Sequence, residues 1–173
     1  MFRVEDGVAV VTFNRPEGAN AMGDDMTPFL RHQLHILKDD PDVRCLVLTG
    51  AGRAFSAGGN MMGSDSGPKP EPPPLPPAPD GWTPDPDDER GRFKQMQRTV
   101  TGALWNFPVP TIAALPGAAA GMGTAMALAC DMRVADEERG FVTAGYINVG
   151  MPGDYVRSAP SLNPSSPLPD KPV

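Results

Sequence analysis

Between Gly7 and Ala135, short β-branched apolar runs alternate with stretches whose apolar residues recur at helical spacing. That alternation confines the chain to an α/β architecture. Val8-Ala9-Val10-Val11-Thr12-Phe13 reads as a buried strand, closed by Arg15-Pro16. Met26, Phe29, Leu30, Leu34 and Leu37 then form a helical stripe, in which Pro28 is tolerable only in the first turn, and Asp39-Asp40-Pro41 stops it. Cys45 to Thr49 is a second strand, turned out by Gly50-Ala51-Gly52. Later, Phe93, Met96, Val100, Leu104 and Phe107 fall at helical spacing, and Thr111 to Leu115 is a third strand. A helix over Thr124 to Cys130, so poor in polar side chains that most of its faces must be buried, leads to a short fourth strand at Met132–Ala135. Phe141 to Val149 is a candidate fifth.

Two regions break this order. Ten of the 22 prolines lie between Pro68 and Pro86 and five more between Pro160 and Pro172. Such stretches favour extended conformers and cannot pack a core. The expected organisation is one body over 1–155, with a proline-rich insertion at about 64–87, and a disordered Pro/Ser-rich tail over 156–173. The insertion is also a conceivable ligand for a proline-binding module, but a surface loop is the simpler reading. After Tyr155 the tail resembles an out-of-frame or prematurely ended reading.

A net charge of −6 argues against a nucleic-acid partner, whose phosphates need clustered Lys and Arg. No apolar run long enough to span a bilayer and no basic amphipathic helix occurs, so no membrane partner is expected. The N-terminus lacks a secretory pattern. Cys45 and Cys130, each within an apolar stretch, read as free thiols of a cytoplasmic protein. His32 and His35 lie three apart on the first helix without an evident third ligand, which makes them solvated helix residues rather than a metal site.

Chemistry concentrates in two small-residue segments. Ser56-Ala57-Gly58-Gly59 directly follows a strand, so a ligand can lie against backbone whose N–H groups are free to donate. Pro116 to Gly123 runs from a strand into a buried helix, whose first N–H groups lack internal partners and whose dipole favours negative charge. Together the two could hold one oxygen that becomes an oxyanion. Phosphate-binding turns and purely structural tight turns share these features. However, Gly121-Met122-Gly123-Thr124-Ala125-Met126 lacks the third glycine of a dinucleotide fingerprint, and no Gly-Lys-Ser/Thr occurs.

Asn14-Arg15-Pro16-Glu17-Gly18-Ala19-Asn20-Ala21-Met22, Asp42 through Asn60, and Pro110 through Ala135 resemble, in order and spacing, the crotonase (enoyl-CoA hydratase/isomerase) superfamily. The resemblance implies a crotonase-like spiral of ββα repeats, here incomplete at the C-terminus. It also implies a coenzyme A thioester as substrate with no separate cofactor or metal, and homotrimers or hexamers, an assembly this shorter chain puts in doubt. On that pattern the oxyanion amides fall on Gly59 and Met122. Ala57, Gly58, Asn60 and Gly121 fall in the walls of the thioester site, and Glu17 and Ala19 in the stretch that meets the CoA moiety.

The departures bear on the reaction. The family's hydratases use two glutamates as paired acid and base. The first position is Ala125 here, and the second falls at Tyr146 or Gly145. The frequent aspartate after the first loop is Asn60. Asp154, at the end of Val149-Gly150-Met151-Pro152-Gly153-Asp154, matches a catalytic aspartate of the family's isomerases and could shuttle a proton; after Pro-Gly it is equally a turn residue. Tyr146 is a candidate for proton donation or acyl-pocket lining. The expected function is therefore enolate-type acyl-CoA chemistry of the hydratase or isomerase kind. The alternative is a truncated, catalytically inactive acyl-CoA-binding remnant.

Overall fold

A computed structural model of the chain describes residues 1–23, 25–60, 95 and 97–146. The proline-rich insertion, the tail and Asp154 lie outside the described residues.

Two sheets grow side by side. The first has the order β1-β2-β3-β5-β7, with β1 at Phe2–Glu5, β2 at Val8–Phe13, β3 at Cys45–Gly50, β5 at Thr111–Leu115 and β7 at Met132–Ala135. Only β1 runs antiparallel, joined to β2 through Asp6-Gly7 with Glu5 opposite Val8; the other neighbours are parallel. The second sheet is parallel throughout, in the order β4-β6-β8, with β4 at Ala54–Ser56, β6 at Ala118–Ala120 and β8 at Val142–Thr143. β3, β5 and β7 of the first sheet are thus each followed by a short strand of the second. After β4 and β6 the chain returns through a helical segment. This is a spiral of ββα turns.

Helix α1, Met26–Leu37, covers one face of the first sheet. Its Leu30, Leu34 and Leu37 join Ala9, Val11 and Phe13 of β2, Leu46 and Leu48 of β3, and Ala113 and Leu115 of β5 in a single buried core. The alternation of buried and half-buried residues along β2, β3 and β5 is the period-2 signature of strands with one face fully packed. A π-helical turn at Gln97–Thr101 leads into the short helix α2, Gly102–Trp105, which buries Leu104. Helix α3, Met122–Ala129, is buried along almost its whole length; only Leu128 is half-buried.

Four elements differ from the sequence reading. The segments read as a loop (53–62) and a small-residue turn (116–123) contain β4 and β6. Alanine and serine carry little strand preference, and the pairing between Ala54 and Ala118 and between Ser56 and Ala119 supplies it instead. Helix α3 begins at Met122, two residues before the expected start, because Gly121 adopts φ +50° and caps it. Finally, β1 was not expected.

Candidate active site

The loop after β4 is held from three sides. Phe55, fully buried, meets the ring of Phe13 edge-on with centroids 5.3 Å apart. Such a pair contributes about 0.5–1.5 kcal/mol beyond the area it buries. The Ala57 N–H donates to the Ala19 carbonyl at 2.9 Å, which ties the loop to the turn containing Glu17 and Ala19. Met22 and Gly59 then form a parallel bridge, in which the Met22 N–H donates to the Gly58 carbonyl (2.6 Å) and the Asn60 N–H donates to the Met22 carbonyl (2.8 Å).

That bridge sets the direction of one donor. A trans peptide places its C=O and N–H on opposite sides. With the Gly58 carbonyl turned toward Met22, the Gly59 N–H faces the other way, and no hydrogen bond to it occurs among the described residues. The same reasoning applies at α3. The Gly121 carbonyl accepts from the Ala125 N–H at 3.1 Å, so the Met122 N–H of that peptide points out of the helix start, where it has no partner within the helix.

The two corners touch. Gly58 adopts φ +92°, and a β-carbon there would come within 2.7 Å of the Ala120 carbonyl oxygen and 3.2 Å of the Met122 nitrogen. A β-carbon on Gly121 would lie 3.9 Å from the Gly58 Cα and 3.8 Å from Cδ1 of Tyr146. At Gly59, which is exposed, a β-carbon would meet nothing within 4 Å. The structure therefore brings Ala57, Gly58, Gly59, Gly121, Met122 and Tyr146 to one place, beside an open side at Gly59 and at the positive end of α3. Asn60 stands close by, its Cβ 3.8 Å from where a β-carbon of Gly23 would lie. The Met122 side chain is 4% exposed and belongs to the core, so it does not occupy the open side.

Glu17 is exposed in a 3-10 turn over Pro16–Gly18, and Ala19, which follows with φ +49°, reaches the site through its carbonyl. Ala125 lies one turn into α3 with only its methyl group, 3% exposed. Thr124 ties the strand that leads to Tyr146 to the start of α3. The Thr124 hydroxyl lies 2.7 Å from the carbonyls of Ala119 and Thr143 and accepts from the Thr143 N–H. No group of three or more metal-ligating side chains occurs among the described residues, and none of their helices is long and apolar enough to cross a membrane.

The sequence reading missed Asn20 as a residue of this site, and took Ser56 only as a small residue of the loop. Asn20 is fully buried with φ +56°. Its side-chain amide donates to the carbonyls of Ala51 (2.9 Å) and Ala54 (2.8 Å), and its Oδ1 accepts from the Arg15 N–H (2.8 Å). Ser56, also fully buried, donates its hydroxyl to the Asn20 carbonyl (2.8 Å) and accepts from the Gly58 N–H (3.2 Å). The one available signal was an Asn in a Gly-Ala-Asn-Ala run, a residue type that tolerates the left-handed region.

Comparison with known proteins identifies the family. Residues 8–154 match the family model described as enoyl-CoA hydratase/isomerase. A 1,2-epoxyphenylacetyl-CoA isomerase of Escherichia coli is 35% identical over 142 residues, which is 82% of this chain and 48% of that protein. A probable enoyl-CoA hydratase of Mycobacterium tuberculosis is 35% identical over 137 residues, 78% of this chain and 46% of the other. Among solved structures, an enoyl-CoA hydratase from Mycobacterium avium subsp. paratuberculosis superposes with a TM-score of 0.71 at 26% identity, covering 92% of this chain and 55% of that one. The chain spans about half the length of the curated relatives it matches. With its spiral of ββα turns and its matched segments, the chain belongs to the enoyl-CoA hydratase/isomerase family, the crotonase superfamily.

Proposed function

We propose that the chain binds an acyl-CoA thioester and polarises its carbonyl between the N–H groups of Gly59 and Met122. The carrying observation is that two touching corners each turn a backbone donor away from a pinned carbonyl, toward a side left open at Gly59. Negative charge developing on the thioester oxygen would be met by both donors and by the start of α3; one such donor typically supplies about 3–4 kcal/mol of transition-state stabilisation. Charge drawn onto the oxygen acidifies the α-carbon, which supports enolate chemistry of the hydratase or isomerase kind. Glu17 and Ala19 flank the path proposed for the CoA moiety. Ala57, Gly58, Asn60 and Gly121 form the proposed walls, and Tyr146 lines the acyl side.

Ala125 favours isomerisation over hydration, because a methyl group cannot activate water. Asp154, outside the described residues, is the proposed proton shuttle. The same methyl group supports a second reading, in which thioesters bind without turnover.

Calorimetric titration with crotonyl-CoA tests the binding step. Loss of the conjugated thioester absorbance, set against its appearance from a 3-enoyl-CoA, separates hydration from isomerisation. Saturable binding is expected, along with conjugation gained from the 3-enoyl substrate and abolished by Asp154→Asn. Absence of thioester binding would overturn the proposal, and binding with neither absorbance change would select the second reading.

A further inference from the structure

We infer that Asn20 and Ser56 are positioning residues that lock the Gly58–Gly59 peptide in its donating orientation; this rests on the thioester reading above. Gly58 is the loop's most permissive point, since a glycine at φ +92° has no β-carbon to restrict rotation of the peptides on either side. Rotation of its C-terminal peptide would turn the Gly59 N–H away and present a carbonyl in its place. Such a rotation must break the bond that holds the Gly58 carbonyl, while a second restraint fixes the peptide before it. On the C-terminal side, the Gly58 carbonyl is held by the Met22 N–H at 2.6 Å. On the N-terminal side, the Gly58 N–H is held by Ser56 Oγ at 3.2 Å, a local turn in which a serine hydroxyl bonds two residues ahead.

The serine is itself fixed. Its single hydroxyl proton is committed to the Asn20 carbonyl at 2.8 Å, which leaves a lone pair for Gly58. Asn20 cannot drift, because its side-chain amide bridges the carbonyls of Ala51 and Ala54 on either side of the turn that leads into β4. Both residues are fully buried, so water does not compete for these bonds. A line of hydrogen bonds therefore runs from the turn at residues 51–54, through Asn20 and Ser56, to the Gly58 N–H, and so fixes the peptide immediately before the one that carries the Gly59 donor. Neither side chain touches the open side of the site. Their effect on a thioester is carried by the backbone alone.

The test uses crotonyl-CoA labelled with carbon-13 at its carbonyl, bound to the whole chain and read by isotope-edited infrared difference spectroscopy. In the native protein the bound carbonyl stretch is expected to fall below its value in water-free solvent, as two aligned donors require. Ser56→Ala removes the acceptor for Gly58. It should lose most of that lowering while binding crotonyl-CoA nearly as tightly, because contacts remote from the carbonyl set ground-state affinity. Ser56→Cys, which keeps the buried volume with a weak hydrogen-bonding group, should behave alike and decides the matter if Ser56→Ala does not fold. A merely structural role would lower the melting temperature and leave the frequency where it was. A native carbonyl that is not lowered overturns the oxyanion reading and the lock together. A lowered native carbonyl with an equally lowered one in the folded variant overturns the lock alone.

Discussion

Gly58 and Gly59 are neighbours in one loop, yet a β-carbon would meet opposite surroundings at the two. At Gly58 it would press on the Ala120 carbonyl and sit in the left-handed region; at Gly59 it would meet open space with no positive φ. Gly58→Ala should therefore lower stability by about 3 kcal/mol, seen as a lower urea midpoint with an unchanged slope. Gly59→Ala should stay within about 0.5 kcal/mol of the native chain. Any change in crotonyl-CoA binding by that second variant then reports on the ligand rather than on the fold. Equal loss of stability in both would contradict the geometry. At this scale the small-residue runs made the two backbone corners legible, because only chains without side-chain bulk can approach so closely. Asn20 was not legible. Its partners Ala51 and Ala54 lie 31 and 34 residues away, and a polar residue in a turn reads as a surface residue until its partners are known.

Among the elements, α1 was legible with its stripe and its stop because its signals are local: Leu30, Leu34 and Leu37 recur at helical spacing, and Asp25 caps it. The β1–β2 hairpin is equally local. Asp6 at φ +51° and Gly7 at φ +81° make the two-residue turn that an Asp-Gly pair favours, but in the sequence the stronger apolar run that follows overshadows it. By contrast, β4 and β6 depend on pairing with distant strands, β4 with β6 and β6 also with β8, so no local pattern marks them. The start of α1 also carries a pH signature. Burial pushes the Asp25 carboxyl up, but its hydrogen bond from Arg15, the Met26 N–H and the Arg15 charge together hold it below its ordinary 3.8. A carboxyl whose pKa falls on folding contributes stability above its unfolded value, and that contribution is lost as pH drops through the folded one. Asp25 is half exposed, so solvent screening keeps the effect to no more than about 1 kcal/mol. Asp25→Asn should therefore be slightly less stable than the native chain at neutral pH. The gap in urea midpoint should close as the medium is acidified below the unfolded carboxyl range; a gap independent of pH would show that the pair with Arg15 contributes nothing.

At the scale of the molecule, each turn of the spiral buries the one before it. β2, β3 and β5 have neighbours on both sides and buried inward residues, whereas all four residues of β7 are exposed, as are both of β8. Among the described residues, both sheets thus end in an exposed strand. On or next to these two strands lie Met132 (50% exposed), Val134 (63%), Phe141 (57%) and Val142 (48%). A parallel strand whose outer ladder has no partner among the described residues, and which carries apolar side chains, is a template for pairing with another chain, and proteins usually blunt such edges with lysine, proline or a bulge. Among β7's four residues, Arg133 is the only charge, and its guanidinium is engaged with the carbonyls of Ala127 and Cys130 at the end of α3. Nothing on this strand therefore opposes edge-to-edge association. The purified chain is expected to self-associate with rising concentration in sedimentation velocity, and more readily than its net charge of −6 would suggest. Val134→Lys should shift the distribution toward the monomer. Its stability should stay within about 0.5 kcal/mol, because the replaced side chain packs little. A chain that stays monomeric at every concentration would mean that the edge is covered. Association undiminished by Val134→Lys would move the contact elsewhere, to the other exposed edge at β1, where Phe2 and Val4 are the corresponding apolar residues.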